Sequence, residues 1–137
     1  MHKKRAACVL IRLGQRVLAV SRKDNLTAMG LPGGKVDPAD DVEALELGLL
    51  SGEAVAAARE LKEETGLRVH PRRLVRVFER VDDDDGYTCT TYEVDWMDCY
   101  GTINTTESGR VRWVDWAELV DGPFGKYNMV LMQTLGI

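Results

Sequence analysis

Three carboxylates, Glu60, Glu63 and Glu64, are spaced i, i+3 and i+4 in this chain. On a helix they share an arc of roughly 100°, where like charges repel by roughly a few tenths of a kcal/mol per pair. They crowd the C-terminal turns of that helix, where its dipole disfavours negative charge. A Glu-rich face is most often a solvated surface, but this placement asks for a compensating charge. A hard divalent cation supplies one, since Mg²⁺ is held by a few carboxylates together with substrate phosphates and water. Arg59, directly before Glu60, is placed to hold or orient a carboxylate.

The element that positions these groups is legible around them. Ala54 to Ala58 form a breaker-free lead-in of strong helix formers. Gly66 follows as the residue that takes the left-handed conformation at a helix end. Ala54, Ala57, Ala58, Leu61 and Thr65 fall on one flank and predict the buried face. Ser51 is a good N-cap type, with Glu53 favourable to the dipole in the first turn.

Arg59-Glu60-Leu61-Lys62-Glu63-Glu64-Thr65-Gly66-Leu67 resembles the second half of the Nudix box, G-x5-E-x7-R-E-U-x-E-E-x-G-U with U apolar. Leu31-Pro32-Gly33-Gly34-Lys35 resembles the loop that precedes the box in the same family. The first half of the box departs from the pattern. Gly34 and Arg59 stand too far apart, the surplus lying at 41–50. The first box glutamate falls on Asp40 when counted forward from Gly34, or on Ser51 when counted back from Arg59. The missing glutamate could be replaced by Asp37, Glu43, Glu46 or Glu53, among which the sequence does not choose. The extra segment carries Val42, Leu45 and Leu49 at helical spacing. It is expected to form a short helix or tight loop near the active-site mouth, to bury that stripe and to make good the missing glutamate.

The resemblance implies an α+β Nudix fold, with a mixed central sheet sandwiched between helices, over a single domain spanning 1–137. It implies a metal shell of Glu60, Glu63, Glu64 and the Gly33 carbonyl, with Arg59 orienting Glu60. It also implies substrate contacts at Leu31 and Lys35. In the MutT branch a metal-binding glutamate precedes a strand tryptophan and a purine-reading asparagine follows it. Glu107 stands six residues before Trp113 and Asn128 fifteen after it, matching both spacings. Glu107 is thus an expected extra ligand or base, and Asn128 an expected substrate contact.

The expected reaction is Mg²⁺-dependent (or Mn²⁺-dependent) hydrolysis of a nucleoside diphosphate linked to another group. A nucleoside triphosphate or oxidised purine nucleotide would give the monophosphate and pyrophosphate. The alternatives are a dinucleoside polyphosphate, nucleotide sugar or capped RNA end as substrate, or a nucleotide-binding module without activity. The intact carboxylate triplet speaks against the last.

Composition agrees with one domain around a sizeable core: 137 residues, 45% hydrophobic and 29% charged. A net charge of −4 argues against nucleic acid as the main partner. An anionic substrate would then need a metal to join it to an acidic site. The expected partner is a small nucleotide, with the chain a monomer or homodimer. Cys8, Cys89 and Cys99 are widely spaced with no CxxC, and read as reduced thiols of a cytoplasmic protein. The apolar run after Arg5 is cut by Arg12, so neither a signal peptide nor a membrane span is expected.

Along the chain, Arg5 to Leu13 reads as a buried strand, Gly14-Gln15 as a turn and Arg16 to Arg22 as the hairpin partner. Arg22 closes a basic cluster, Ser21-Arg22-Lys23, either surface solubility or a contact for substrate phosphate. Asp24 to Gly30 reads as loop. Leu74 to Val81 and Tyr87 to Trp96 read as strands, joined by the solvated Asp82–Asp85 turn. A short strand before Trp116, a helical turn at 117–120 and a closing helix at 127–135 complete the chain. In that last helix Met129, Val130 and Met132 are expected in the core or a pocket wall.

Overall fold

The apolar runs near the N-terminus do not alternate with polar residues, as expected of strands covered on both faces. A computed structural model of the chain describes residues 4–82, 85–104 and 110–137, and those runs are its central strands. β1 (Arg5–Leu10) and β3 (Arg16–Arg22) have interiors buried on both sides. Between them lie β2 (Arg12–Leu13) and the Gly14-Gln15 turn, closing the expected hairpin.

β4 (Asn25–Gly30) follows, where the sequence reads as loop. It pairs antiparallel with β3 through Val20–Gly30 and Ser21–Met29, and Met29 is fully buried there. Tertiary pairing and one buried side chain outweigh the weak strand propensity of the segment.

β5 (Gly33–Lys35), β1, β8 (Thr88–Glu93) and β7 (Val75–Val81) form one sheet in the order β5-β1-β8-β7. β1 and β8 run parallel and the other neighbours antiparallel, so the sheet is mixed. A second sheet orders β10 (Val111–Val114), β3 and β2, with β4 pairing farther along the edge of β3 that β2 also uses. β6 (Leu67–Arg68) and β9 (Tyr100–Gly101) add a two-stranded pair.

Helices cover both faces. α1 (Pro38–Glu46) and α2 (Glu53–Thr65) come before β6; α3 (Trp116–Val120) and α4 (Gly125–Thr134) close the chain. Ala7, Val9, Ile11 and Leu18 pack with Ala54, Ala57 and Leu61 of α2. Leu10, Val17 and Ala19 pack on the opposite side with Leu119 of α3 and Leu131 of α4. The α+β sandwich expected of the fold is therefore present. No helix among the described residues is long and apolar enough to cross a membrane.

α2 buries the predicted flank, with Ala54, Ala57, Leu61 and Thr65 inside. It ends at Gly66, left-handed at φ 84°, whose N–H donates to the Lys62 carbonyl. The N-cap is Gly52 and not Ser51, whose hydroxyl instead donates to Glu53 at 2.8 Å. The extra segment is helical, as expected, but turns its apolar stripe outward. Val42 is 58% and Leu45 75% exposed, while Asp40 and Ala44 are the buried residues of α1. The ion pairs made by Asp40 and Asp41 set the roll of α1 against α2, and Val42 and Leu45 are left on the far side. Met129 is also exposed, whereas Leu131 and Asn128 form the inner face of α4.

Candidate active site

The site is built where β5 lies against α2. In an antiparallel pair alternate backbone groups face the partner strand. Gly34 pairs with Ala7 of β1, so the groups of Gly33 and Lys35 turn the other way, to the helix. The Gly33 N–H donates to Glu64 Oε1 at 2.7 Å, and the Lys35 carbonyl accepts from Arg59 at 3.1 Å. Side chains would not fit: a Cβ on Gly33 would lie 2.4 Å from the Ala7 carbonyl oxygen, and one on Gly34 2.6 Å from the Glu60 carboxyl. The paired glycines are what let a strand edge approach a row of carboxylates.

Arg59 is the hub of that row. Its guanidinium forks onto Asp40, with Nε to Oδ1 at 3.1 Å and Nη2 to Oδ2 at 2.9 Å. It also reaches Glu60 at 3.0 Å, Asp37 at 3.3 Å and Glu63 at 3.4 Å. Asp40 is 4% exposed, and its other lone pairs take the Asp37 N–H at 2.8 Å in a capping box. A buried carboxylate forked by arginine and capped by backbone is a fully satisfied ion. Asp40, where the forward count from Gly34 falls, is thus the carboxylate that Arg59 forks, and of the four replacements weighed only Asp37 is also paired with Arg59. The signal was the forward count from Gly34. Glu53 instead pairs with Arg5, and the extra segment after Asp41 contributes no carboxylate to this hub.

Electrostatics single out Glu64. Burial, opposed by the Gly33 N–H and reinforced by the charges of Glu60 and Glu63, pushes its carboxyl up to about 8. Burial also raises Glu60, against the pull of Arg59. Among the described residues no three acidic, histidine or cysteine groups already converge as a metal cluster. The donor chemistry nonetheless fits a hard divalent cation. Glu60, Glu63 and Glu64 are oxygen donors on one helix, Glu64 is a crowded, half-buried acid, and Gly33 presents its backbone beside it.

Two depressions meet at this edge. One, of about 250 Å³, is walled by Leu31, Gly33, Lys35, Tyr87, Phe124 and Tyr127, with Asn128 and two cysteines also on its lining. The other, of about 460 Å³, holds Arg22, Lys23 and Glu64. Leu31, Gly33 and Phe124 are common to both. Arg22 and Glu64 therefore line one depression, and Lys35 and Asn128 the other, with Leu31 at the join. Lys35 also lies over the Tyr87 ring, 5.5 Å from its centroid. Asn128 is buried and donates from Nδ2 to the Leu119 carbonyl at 3.4 Å, tying α4 to α3. Glu107 lies outside the described residues. The aromatic walls Tyr87, Phe124 and Tyr127 were not read from the sequence as site residues, since isolated aromatics carry no spacing signal.

A mixed sheet between helices, with a Gly-Gly strand edge facing an Arg-Glu-x-x-Glu-Glu helix, defines a loop–helix–loop phosphohydrolase fold. The NUDIX domain profile matches residues 1–132, and the chain belongs to this family of pyrophosphohydrolases. Solved structures agree on the fold. A MutT NUDIX hydrolase from Burkholderia pseudomallei is 20% identical with a TM-score of 0.66, the match covering 98% of this chain and 99% of that one. The E. coli ORF135 protein is 19% identical at 0.68, covering 98% and 89%. A bifunctional NMN adenylyltransferase/ADP ribose pyrophosphatase from Francisella tularensis, complexed with AMP and a manganese ion, is 18% identical at 0.63, covering 96% and 41%. A search of curated proteins finds no significant match.

Proposed function

We propose that this chain is a Mg²⁺-dependent (or Mn²⁺-dependent) pyrophosphohydrolase of the cytoplasm that cleaves a nucleoside triphosphate or oxidised purine nucleotide to the monophosphate and pyrophosphate. The observation that carries the reading is Glu64: a half-buried carboxyl, crowded by Glu60 and Glu63, in a charged cleft that meets an apolar cavity at Leu31, Gly33 and Phe124. Glu60, Glu63, Glu64 and the Gly33 carbonyl would hold the cation, with Glu107 as a further ligand or base. When bound, the cation supplies charge neutralisation of the diphosphate and a more acidic water.

The chain's own residues do the rest. Arg59 holds Glu60 in place, itself braced by Asp40. Arg22 lies in the charged cleft, where it can meet phosphate. Leu31, Lys35 and Asn128 line the cavity that would take the nucleoside. A side-chain amide pairs with a purine edge, a contact worth about 1–3 kcal/mol.

The test is a panel of nucleoside triphosphates, oxidised purine nucleotides, nucleotide sugars and dinucleoside polyphosphates with Mg²⁺, products being read by mass spectrometry. Monophosphate and pyrophosphate from a triphosphate support the reading; cleavage of only the sugar or dinucleoside substrates replaces it. Asn128→Ala should raise KM for purine nucleotides by about tenfold or more. Equal effects on purine and pyrimidine substrates would leave Asn128 a purely structural tie between α3 and α4.

A further inference from the structure

The apolar cavity carries a chemistry that hydrolysis does not use. Cys8 of β1 and Cys89 of β8 both line it. Cys8 is buried, with Sγ 3.1 Å from the Thr91 hydroxyl, which lies 2.6 Å from the Tyr127 hydroxyl. Tyr127 in turn donates to the Cys89 carbonyl at 3.2 Å. The Cys8 thiol, two hydroxyls and the Cys89 carbonyl thus form a polar seam along the cavity wall, on which the Cys89 side chain also lies.

The register decides what the thiols can do. β1 and β8 run parallel, Cys8 beside Thr91 and Ala6 beside Cys89, so the cysteines are diagonal neighbours. With ~4.8 Å between strands and ~3.3 Å per residue, their Cα atoms are roughly 8 Å apart. An unstrained disulfide spans at most about 7 Å. A bridge between them would have to move the central strands, so any modification must come from outside.

We propose that Cys89 is a site of reversible modification by a small disulfide, which plugs the cavity and excludes the nucleotide. The Cys89 thiolate attacks one sulfur of the disulfide. The S–S bond of the reagent breaks, a new one forms to Cys89, and the other half leaves as a thiolate; no other oxidant is needed.

Access and environment separate this cysteine from the other two. Cys8 sits beneath Gly33, whose added Cβ would lie 2.6 Å from that of Cys8, and its thiol is pushed up by Cys89 and by burial. Cys99 is pushed up to about 11 by burial and by Asp98 and Asp95. Cys89 is half-buried on the cavity wall, and its thiol is drawn down by Cys8, against burial, with help from Tyr127. The thiolate is the nucleophile, so Cys89 should react first. The loss of activity, unlike the modification itself, rests on the cavity being the nucleoside site proposed above.

The folded enzyme is treated with hydroxyethyl disulfide and the adducts are located by peptide mass spectrometry. One adduct on Cys89, absent from Cys89→Ser, kept in Cys99→Ser and removed by dithiothreitol, is expected. Faster reaction at Cys8 or Cys99, or a rate at Cys89 no greater than theirs, overturns the proposal. Nucleotide at about ten times its Kd should slow labelling about tenfold by occupancy, and the labelled enzyme should lose hydrolysis. An adduct on Cys89 that leaves hydrolysis intact overturns the plug and the nucleoside assignment of the cavity together. Inactivity of the unlabelled enzyme on every nucleotide of the panel, with Cys89 still labelled first, counts against the proposed function alone.

Discussion

Two neighbouring aspartates at the start of α1 serve two different arginines. Asp40 is buried and forked by Arg59, in a hub that also holds Glu60 and Glu63. Asp41 is forked by Arg5 of β1, which also pairs with Glu53, while its Oδ1 accepts the Gly52 N–H at 3.0 Å. The first hub touches the carboxylates proposed to hold the cation. The second staples α1 to the start of α2 and to the central sheet. Successive residues on a helix point about 100° apart, so one step along the chain separates chemistry from scaffold. The extra residues follow Asp40 and not Arg59, and so lengthen the scaffold side without disturbing the Arg59 hub.

The sharpest test of that division is on the carboxylates themselves. Glu64→Gln and Glu63→Gln should each lower turnover at least about a hundredfold with the fold retained, since charge stabilisation at a metal centre is worth several kcal/mol. Glu53→Gln, on the same helix but in the Arg5 staple, should leave turnover near wild type. Equal turnover in all three at saturating Mg²⁺ would erase the distinction.

The two aspartates should differ next. Asp40→Asn leaves Arg59 without its buried counter-charge and is expected to destabilise the fold by about 2 kcal/mol or more, with reduced turnover. Asp41→Asn removes a partly exposed pair and should cost about 1 kcal/mol or less. Chemical denaturation with parallel rate measurements checks both, and a larger loss at Asp41 would reverse the ranking.

A pH dependence also separates the hubs. Glu64 is raised from 4.5 to about 8 in the folded chain. Between those values the folded state keeps a proton that the unfolded state has lost, so stability falls as pH rises. Metal-free protein should therefore lose stability from about pH 4.5 to 8, and Glu64→Gln should flatten that stretch of the curve. Thermal unfolding in chelator across this range reads it, and an unchanged curve in the variant would remove Glu64 as the cause.

The smallest effect belongs to the outward face of α1. Leu45→Gln should change stability by less than about 0.5 kcal/mol, as surface substitutions do, and leave turnover unaltered. A larger loss would mean that the stripe is covered in solution.

Local chemistry was enough for part of this protein. The helix under Glu60, Glu63 and Glu64, its buried flank and its stop at Gly66 follow from side-chain volume, 3.6-residue periodicity and the freedom of one glycine. The β2–β3 hairpin, β7, β8 and β10 were likewise written in apolar runs and turn residues, though the expected strand Arg5 to Leu13 divides into β1 and β2, which join different sheets. Tertiary structure decided what depends on partners distant in sequence. β4 is a strand only because β3 offers an edge and the core takes Met29. The stripe Val42–Leu45 had helical spacing, yet periodicity gives a face and not its direction, and the ion pairs of Asp40 and Asp41 set that direction. The same holds for the first box carboxylate. Counting fell on Asp40 or Ser51 and left four other acids open, and the fork of Arg59 onto Asp40 across 19 positions is a contact of the folded chain, because a guanidinium fork is satisfied by distance and angle, which no linear spacing encodes.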